Sequence, residues 1–225
     1  MNPIDVFIES GRKKVFASTL EWPGWSRSGR DEKSALQNLV DYGLRYAHVM
    51  AVGEVEFQAP ADTADLNVVE QHAGNSSTDF GSPAVIPDAD RGGFDREQLE
   101  RSLSILQACW RAFDGAVKIA KGVELREGPR GGGRDLDKMI EHVLDADKAY
   151  LSRLAWKYKK GAAQDQNERL RLTRAAIVNA LEAAAMGDLP EKGLRGGIVW
   201  PARYFVRRTA WHVLDHTWEI EDRII

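Results

Sequence analysis

Two histidines near the C-terminus of the chain have the spacing of a metal-binding pair. His212 and His216 lie four residues apart in the stretch RRTAWHVLDHTWEIEDR, residues 207 to 223. Residues i and i+4 of an α-helix share one face, so the two imidazoles point to a common region. Two such nitrogens bind one divalent ion at about 2.0 to 2.1 Å each. The pair therefore predicts half of a metal site, with two polar residues on one helix face as the alternative.

The residues around this pair indicate its orientation and the chemistry that it lacks. Phe205, Thr209 and Ile220 share its helical stripe, which predicts that the stripe faces the interior of a helical bundle. Burying an unpartnered polar group costs about 1 to 3 kcal/mol, and a bound metal would remove that cost. Val213 follows His212, so the glutamate general base of an HExxH zinc protease is absent. A protease is therefore disfavoured.

A complete site needs a third ligand from another element. His142 lies in DLDKMIEHVLDADKAYL, on a separate predicted helix. Ligands from facing helices of a bundle can converge, and three protein nitrogens with an open position are typical of catalytic metal sites. His142, His212 and His216 are therefore the predicted metal ligands. His48 is expected to face solvent or an interface, and His72 to lie in a solvated loop.

The helices that carry these histidines belong to one periodic region. From residue 95 onward, apolar residues recur at helical spacing, and Gly or Pro lies in each break between the periodic segments. Four long helices make a four-helix bundle the default architecture for residues 95–225. The predicted helices span 95–121, 135–158, 165–186 and 201–223.

The first sixty residues have a different period. IDVFIES and KKVFAST predict a hairpin turning at residues 10–12, and a helix opened by Asp31 follows the WPGW turn. VEFQ, residues 55–58, is predicted as a returning strand. Residues 1–60 thus form a small α+β module of order ββ(β)αβ. Residues 61–94, rich in Ala, Asp, Ser, Gly and Pro, are predicted to be a linker over the surface, with the short apolar stretches LNVV and AVI as candidates for one or two short strands.

Two stretches of the chain resemble known families. The hairpin, the WPGW turn and SGRDEKSALQNL, within residues 4–58, resemble the HicB-like antitoxin fold, which implies that fold and no activity. RDLDKMIEHVLDADKAYLSRL and RRTAWHVLDHTWEIEDR, within residues 95–224, resemble the DinB-like superfamily of four-helix bundles. That superfamily places one metal-binding histidine on its second helix and two, spaced HxxxH, on its fourth.

The DinB-like resemblance implies a cofactor, a partner and a reaction class. Its pattern assigns the ligand roles to His142, His212 and His216, with zinc or nickel as the metal. It implies a homodimer and a thiol-dependent transferase or isomerase that uses a low-molecular-weight thiol such as mycothiol or bacillithiol. Since a bound metal lowers the pKa of water as well as of a thiol, a metal-dependent hydrolase stays an alternative. The resemblance implies no catalytic or substrate-binding residue beyond the ligands.

Net charge and composition narrow the classes of partner that are expected to bind the protein. A net charge of -3 and a pI near 6.0 give no global attraction to nucleic acid or anionic membranes, and the basic loop at 126–134 is too short for nucleic-acid binding. The single cysteine, Cys109, lies in an apolar helical run and is expected to be buried and inert. With no signal-peptide pattern and no long apolar run, a cytoplasmic protein without a membrane partner is expected.

Two functions without turnover also fit the sequence. The first is a metal-binding or stress-associated module, and the second is an antitoxin-like interaction protein built on the N-terminal half. Some residues near the histidine pair are candidates for second contacts, with salt bridges or helix packing as the alternative: Arg207, Arg208, Trp211, Asp215, Trp218 and Glu219. Others are expected to form the solvated face of the second helix of the bundle: Lys138, Asp145, Asp147 and Lys148.

Overall fold

The chain folds into a four-stranded sheet at the N-terminus followed by long packed helices, a mixed α+β architecture. The structure is a computed structural model and describes residues 3–127, 133–158, 165–193 and 197–225. Part of the basic loop at 126–134, residues 128–132, lies outside the described residues. The elements are β1 Ile4–Ser10, β2 Val15–Thr19, β3 Ser26–Gly29, α1 Glu32–Asp41, α2 Gly43–Val52, β4 Leu66–Ala73, α3 Ser76–Phe80, α4 Arg96–Ala120, α5 Leu136–Arg153, α6 Gln166–Met186 and α7 Ala202–Arg223.

The predicted hairpin is confirmed. β1 and β2 pair antiparallel from Val6 opposite Thr19 to Ser10 opposite Val15, and the Gly11 amide donates to the Lys14 carbonyl at 2.9 Å across the turn. The strand order is β3-β2-β1-β4, and β4 runs parallel to β1. A parallel pair needs a crossover connection, and α1 and α2 lie in the connection that leads from β1 to β4.

The returning strand lies later in the chain than predicted. Residues 55–58 form no strand, and β4 at Leu66–Ala73 occupies the edge of β1 instead. Val55 and Phe57 still pack against the core, and the Phe57 ring lies 4.7 Å from that of Trp22. The apolar alternation at 55–58 therefore reflects side chains that pack on the core, although these residues pair with no strand.

Residues 61–94, predicted as a linker, contain β4, α3 and two 3-10 turns. Residues 74–93, which follow β4, form a segment that we call the strap, because carboxylates from the sheet bind its backbone amides. The Glu9 carboxylate accepts hydrogen bonds from the Ala84 and Val85 amides, both at 3.0 Å. Glu70 accepts from the amides of residues 88 and 89 at 2.8 and 3.0 Å. The strap is therefore fixed to the sheet by buried and half-buried acids.

Three of the four long helices match their predicted spans to within about one residue at each end, and the fourth, α5, is shorter. α4, α5 and α6 each begin after an aspartate whose side chain accepts from a first-turn amide, the N-cap arrangement that satisfies a free helix-end donor: Asp95, Asp135 and Asp165. Their closest mutual contacts run in the cyclic order α4, α7, α5, α6, the packing expected of a four-helix bundle. α5 ends at Arg153, before the predicted boundary at Tyr158. Over the described residues, no helix combines the length and apolarity that crossing a bilayer requires.

α7 is the central helix of the fold. It packs on α4 and α5, and on the other side it meets the strap and the sheet. Gly24 of the WPGW turn has φ +95°, and a Cβ there would lie 3.0 Å from side-chain atoms of Ala210 and Leu214. Glycine is needed at this position both for its left-handed backbone and for this close approach. One cluster of buried side chains therefore includes residues of both halves, among them Val6, Trp25, Leu39, Phe113, Leu144 and Trp218.

A buried ion pair joins α7 to the strap. The Arg207 guanidinium donates to both Asp90 carboxylate oxygens at 2.7 and 2.8 Å, and the two side chains are 9% and 2% exposed. The same guanidinium donates to the carbonyls of Thr19 and Leu20, at the end of β2. Arg207 therefore connects α7, the strap and the sheet.

We expect Asp90→Ala to lower the free energy of unfolding by about 3 to 5 kcal/mol, because the Arg207 guanidinium would stay buried without its counter-ion. Urea unfolding followed by circular dichroism measures this loss. Glu100→Ala is the control, since Glu100 forms an exposed ion pair with Arg96 at 4.0 Å, and it should change stability by about 0.5 kcal/mol or less. Equal losses in the two variants would contradict the stabilising role given to the buried pair.

Candidate metal centre

Two helices position the three predicted ligands. His142 lies on α5, and His212 and His216 lie one turn apart on α7. His212 and His216 are each only 7% exposed, and His142 is half-buried. Their stripe on α7 faces inward as expected, because the residues that share it are fully buried: Phe205, Thr209 and Ile220.

The three imidazoles converge. One nitrogen from each ring lies within 4.8 Å of the other two, and the Nε2 atoms of His142 and His212 are 3.2 Å apart. The three ring centroids are separated by 4.7 to 5.0 Å. Two nitrogens bound to one tetrahedral ion at 2.0 to 2.1 Å would lie about 3.4 Å apart. The rings are therefore close enough to hold a single metal ion.

The carboxylate of Glu219 contacts one of the three predicted ligands, His216. Nδ1 of His216 lies 2.8 Å from a carboxylate oxygen of Glu219, and the other oxygen of Glu219 accepts from Arg223 at 3.0 Å. A histidine that donates Nδ1–H to a carboxylate keeps its Nε2 lone pair for a metal. Arg223 also donates to the carbonyls of Arg126 and Arg134 at 2.7 and 3.0 Å. The connection between α4 and α5 is thereby tied to the end of α7.

Burial favours the neutral imidazoles that metal ligation requires. Burial lowers the pKa of His212 well below its ordinary value, and the neighbouring His216 and His142 lower it further. The pKa of His142 is also lowered, first by burial and then by the charge of His216. The hydrogen bond from His216 lowers the pKa of Glu219, so this acid stays a carboxylate. His142 and His212 therefore offer nitrogen lone pairs at neutral pH.

The second ring nitrogen of His212 has a different environment. Its Nδ1 is buried and has no hydrogen-bond partner within the described ranges. His216, by contrast, has Glu219. The two histidines on α7 therefore differ in the hydrogen bonding of their second ring nitrogen.

Aromatic side chains form a wall beside His212. The Tyr150 ring lies 5.8 Å from the His212 ring and 5.5 Å from that of Trp200, and the Trp211 ring lies 6.2 Å from His212. The Arg208 guanidinium lies 4.7 Å above Trp211 and bonds to Ser82 and to the Pro83 carbonyl of the strap. The strap therefore reaches the helix turn that carries His212.

Several other candidate residues lie away from the histidine cluster. Arg207 forms the buried pair with Asp90, Asp215 pairs with Arg27 at 3.3 Å, and the Trp218 ring packs on Tyr42 at 5.2 Å. Of the two acids predicted as candidates for contacts near the histidine pair, Glu219 forms a hydrogen bond with His216 and Asp215 does not. Their helical spacing from His216 explains this, because only Glu219 lies one turn onward on the same face.

One of the remaining predictions about the environment of histidine and cysteine residues was wrong. His48 is exposed and Cys109 is buried, as expected, and burial raises the thiol pKa of Cys109. His72 was expected in a solvated loop, but it lies in β4, with its Nε2 2.7 Å from Glu70. A short strand was allowed at LNVV, but the extension of β4 to Ala73 was not predicted, because the inward positions of that extension, Glu70 and His72, are polar.

Asp147 corrects the prediction of a wholly solvated face on α5. Lys138 and Asp145 are exposed as expected, but Asp147 is 1% exposed, and its Oδ1 has no partner within the described ranges. Burial raises its pKa to about 7, against the opposing charge of Arg174. Its position was available from the periodicity, since it lies between the buried Leu144 and Leu151 on one helical face.

We expect Asp147→Asn to change how stability depends on pH. The unfolded carboxyl ionises near pH 4 and the folded one near pH 7, so wild-type stability falls as pH rises through that window. The variant should exceed wild type at pH 8 by about 2 to 4 kcal/mol, and the gap should close below pH 4. Urea unfolding with a chelator present measures both curves.

Asp145→Asn is the matched control, because this side chain on the same helix is 72% exposed. It should leave the wild-type pH profile unchanged. A constant difference between Asp147→Asn and wild type from pH 4 to pH 8 would show that the buried carboxyl is ionised alike in both states.

Comparisons with known proteins give this geometry no family. No protein-family model, no curated protein and no solved structure matches the chain.

Proposed function

We propose that His142, His212 and His216 bind one divalent metal ion and leave an open coordination position for a reactant. The observation that carries this proposal is the convergence of three imidazole nitrogens within 4.8 Å of one another. Imidazole ligands suit zinc, copper, iron and nickel, whereas magnesium and calcium prefer oxygen ligands. Of these, zinc and nickel are the metals that the DinB-like resemblance implies, and one of them is the proposed metal.

The wider proposal is a metal-dependent enzyme of the DinB-like kind, acting as a homodimer in thiol-dependent transfer. A divalent ion with an open position supplies Lewis acidity that lowers the pKa of a thiol or water. The chain itself supplies the fixed ligands, the carboxylate that orients His216, and the wall of Tyr150, Trp200 and Trp211 that shields one side from water. A low-molecular-weight thiol is the proposed co-substrate.

We expect the purified protein to bind one zinc or nickel ion per chain, because three imidazoles meet at this site. Replacing any one of the histidines 142, 212 and 216 by alanine should weaken binding by more than about 100-fold, beyond the 10- to 100-fold cost of losing a supporting residue. Elemental analysis and calorimetric titration measure this. His48→Ala is the control, and metal binding that survives loss of all three histidines would overturn the proposal.

A graded variant in the same titration tests the supporting carboxylate. Glu219→Gln should weaken metal binding by about 10- to 100-fold, since His216 would lose the charge that orients and polarises its ring. Glu221→Gln is the matched control on α7, because Glu221 pairs with Arg45 at 2.6 Å. Equal affinities for these two variants would remove Glu219 from the site.

We expect the metal-loaded protein to conjugate bacillithiol or mycothiol to a soluble electrophile. The rate should fall to background with a chelator and in His142→Ala, and should return when zinc or nickel is added to wild type. Thiol consumption and conjugate formation are followed by mass spectrometry. Ester or amide hydrolysis without a thiol would point to a hydrolase, and no turnover by a stoichiometrically loaded protein would point to a non-catalytic metal-binding module.

A further inference from the structure

A groove of about 390 Å³ lies between α2 and α4, with the end of α7 at its base. We propose that this α2–α4 groove binds a free medium-chain aliphatic carboxylate, with the chain on the apolar floor and the carboxylate at Arg111. The volume lies within the roughly 300 to 1,000 Å³ range of small-ligand sites. Its ligand is independent of the histidine cluster.

The floor of the groove is apolar and open. Val49, Ala116 and Trp218 line it and are nearly fully buried. Gly115 on α4 also lines it, and a Cβ added there would meet no atom within 4 Å. A glycine in the middle of a helix costs stability relative to alanine, and here it leaves space above the floor. The floor therefore offers room for a narrow apolar chain.

The two rims of the groove expose apolar side chains to water. Leu44 and Val52 on α2 are 78% and 41% exposed, and Ile119 on α4 is 66% exposed. Exposed apolar residues are unremarkable singly, but a contiguous group around a groove marks a binding site. An aliphatic chain in the groove would cover parts of all three.

The charges at the groove select the sign of the ligand. Arg111 has no acidic partner over the described residues, and its one hydrogen bond, to the Val52 carbonyl, is long at 3.4 Å. The other arginine, Arg45, is already paired with Glu221 at 2.6 Å and with Asp222 at 2.9 Å. The end of the groove near Val52 is therefore positive, and a carboxylate can form a charge-assisted pair with the guanidinium of Arg111.

This charge favours a small carboxylate over a second copy of the chain. A two-fold interface centred on the groove would place the same lining on both sides, and the one acid of that lining, Glu221, is already paired with Arg45 and leaves Arg111 without a counter-ion. A free carboxylate would instead neutralise Arg111, and the groove encloses the volume of one small molecule. The occupant that fits is therefore an amphiphilic anion.

Calorimetric titration with decanoate below its micelle concentration tests the proposal. Decanoate should bind with one site per chain and about 15-fold more tightly than octanoate, because each of its two additional methylenes, when buried, strengthens binding roughly fourfold. Decyltrimethylammonium, with a chain of equal length and opposite charge, should bind at least about 10-fold more weakly than decanoate. Methyl resonances of Leu44, Val52 and Ile119 should shift on titration.

Paired variants locate the site. Gly115→Phe fills the groove and should weaken decanoate binding more than about 10-fold, while Gly115→Ala, which leaves most of the space, should bind like wild type. Arg111→Gln should weaken decanoate binding about 10-fold and should not weaken decyltrimethylammonium binding, because the variant also removes a repulsive charge. Both Gly115 variants should keep the wild-type metal affinity and helical circular dichroism, which shows that they are folded.

Three results would overturn the proposal. The first is no binding of decanoate, and the second is equal binding by Gly115→Phe and wild type. The third is a dimer, seen by sedimentation, that Gly115→Phe dissociates, which would make a second copy the occupant of the groove. None of these results bears on metal binding by the histidines, so the two proposals fail separately.

Discussion

The buried guanidinium of Arg207 is the contact on which the arrangement of the molecule depends. It bonds to Asp90 of the strap and to two carbonyls at the end of β2, while its own helix, α7, forms the centre of the fold. Charged groups in such a place are stable only when every partner is present, because removing one leaves a desolvated charge. The position of α7 is therefore fixed by the N-terminal half of the chain as much as by the helices that pack on it.

The histidine cluster benefits from this anchoring at both ends of α7. Arg207 and Arg208 hold the helix to the sheet and the strap before His212, and Arg223 holds it to the α4–α5 connection after His216. The side chains between these anchors have little freedom to move along the helix axis. When the side chains of a metal site are already held in place, they lose less conformational entropy as the metal binds. Such preorganisation is the main requirement for a specific metal geometry.

The parts of the fold that were predictable are those set by local spacing. His212 and His216 share a face because of helix geometry, and helix starts follow from aspartate caps, so neither depends on distant residues. The full length of β4 was hidden because its later inward positions are Glu70, which binds amides of the strap, and His72, which contacts Glu70. Asp147 was misplaced because its charge was given more weight than its position in the period.

Long-range partners were beyond the reach of spacing. Asp90 lies 117 residues before Arg207, and nothing in either neighbourhood specifies the other. The same holds for the return of the strap to Glu9, since a carboxylate in a strand gives no sign of which backbone amides it will bind. The close approach of Gly24 to Ala210 has a consequence for divergence: Gly24 has no side chain to shorten, so a residue larger than alanine at position 210 requires the backbone of the WPGW turn to move away from α7.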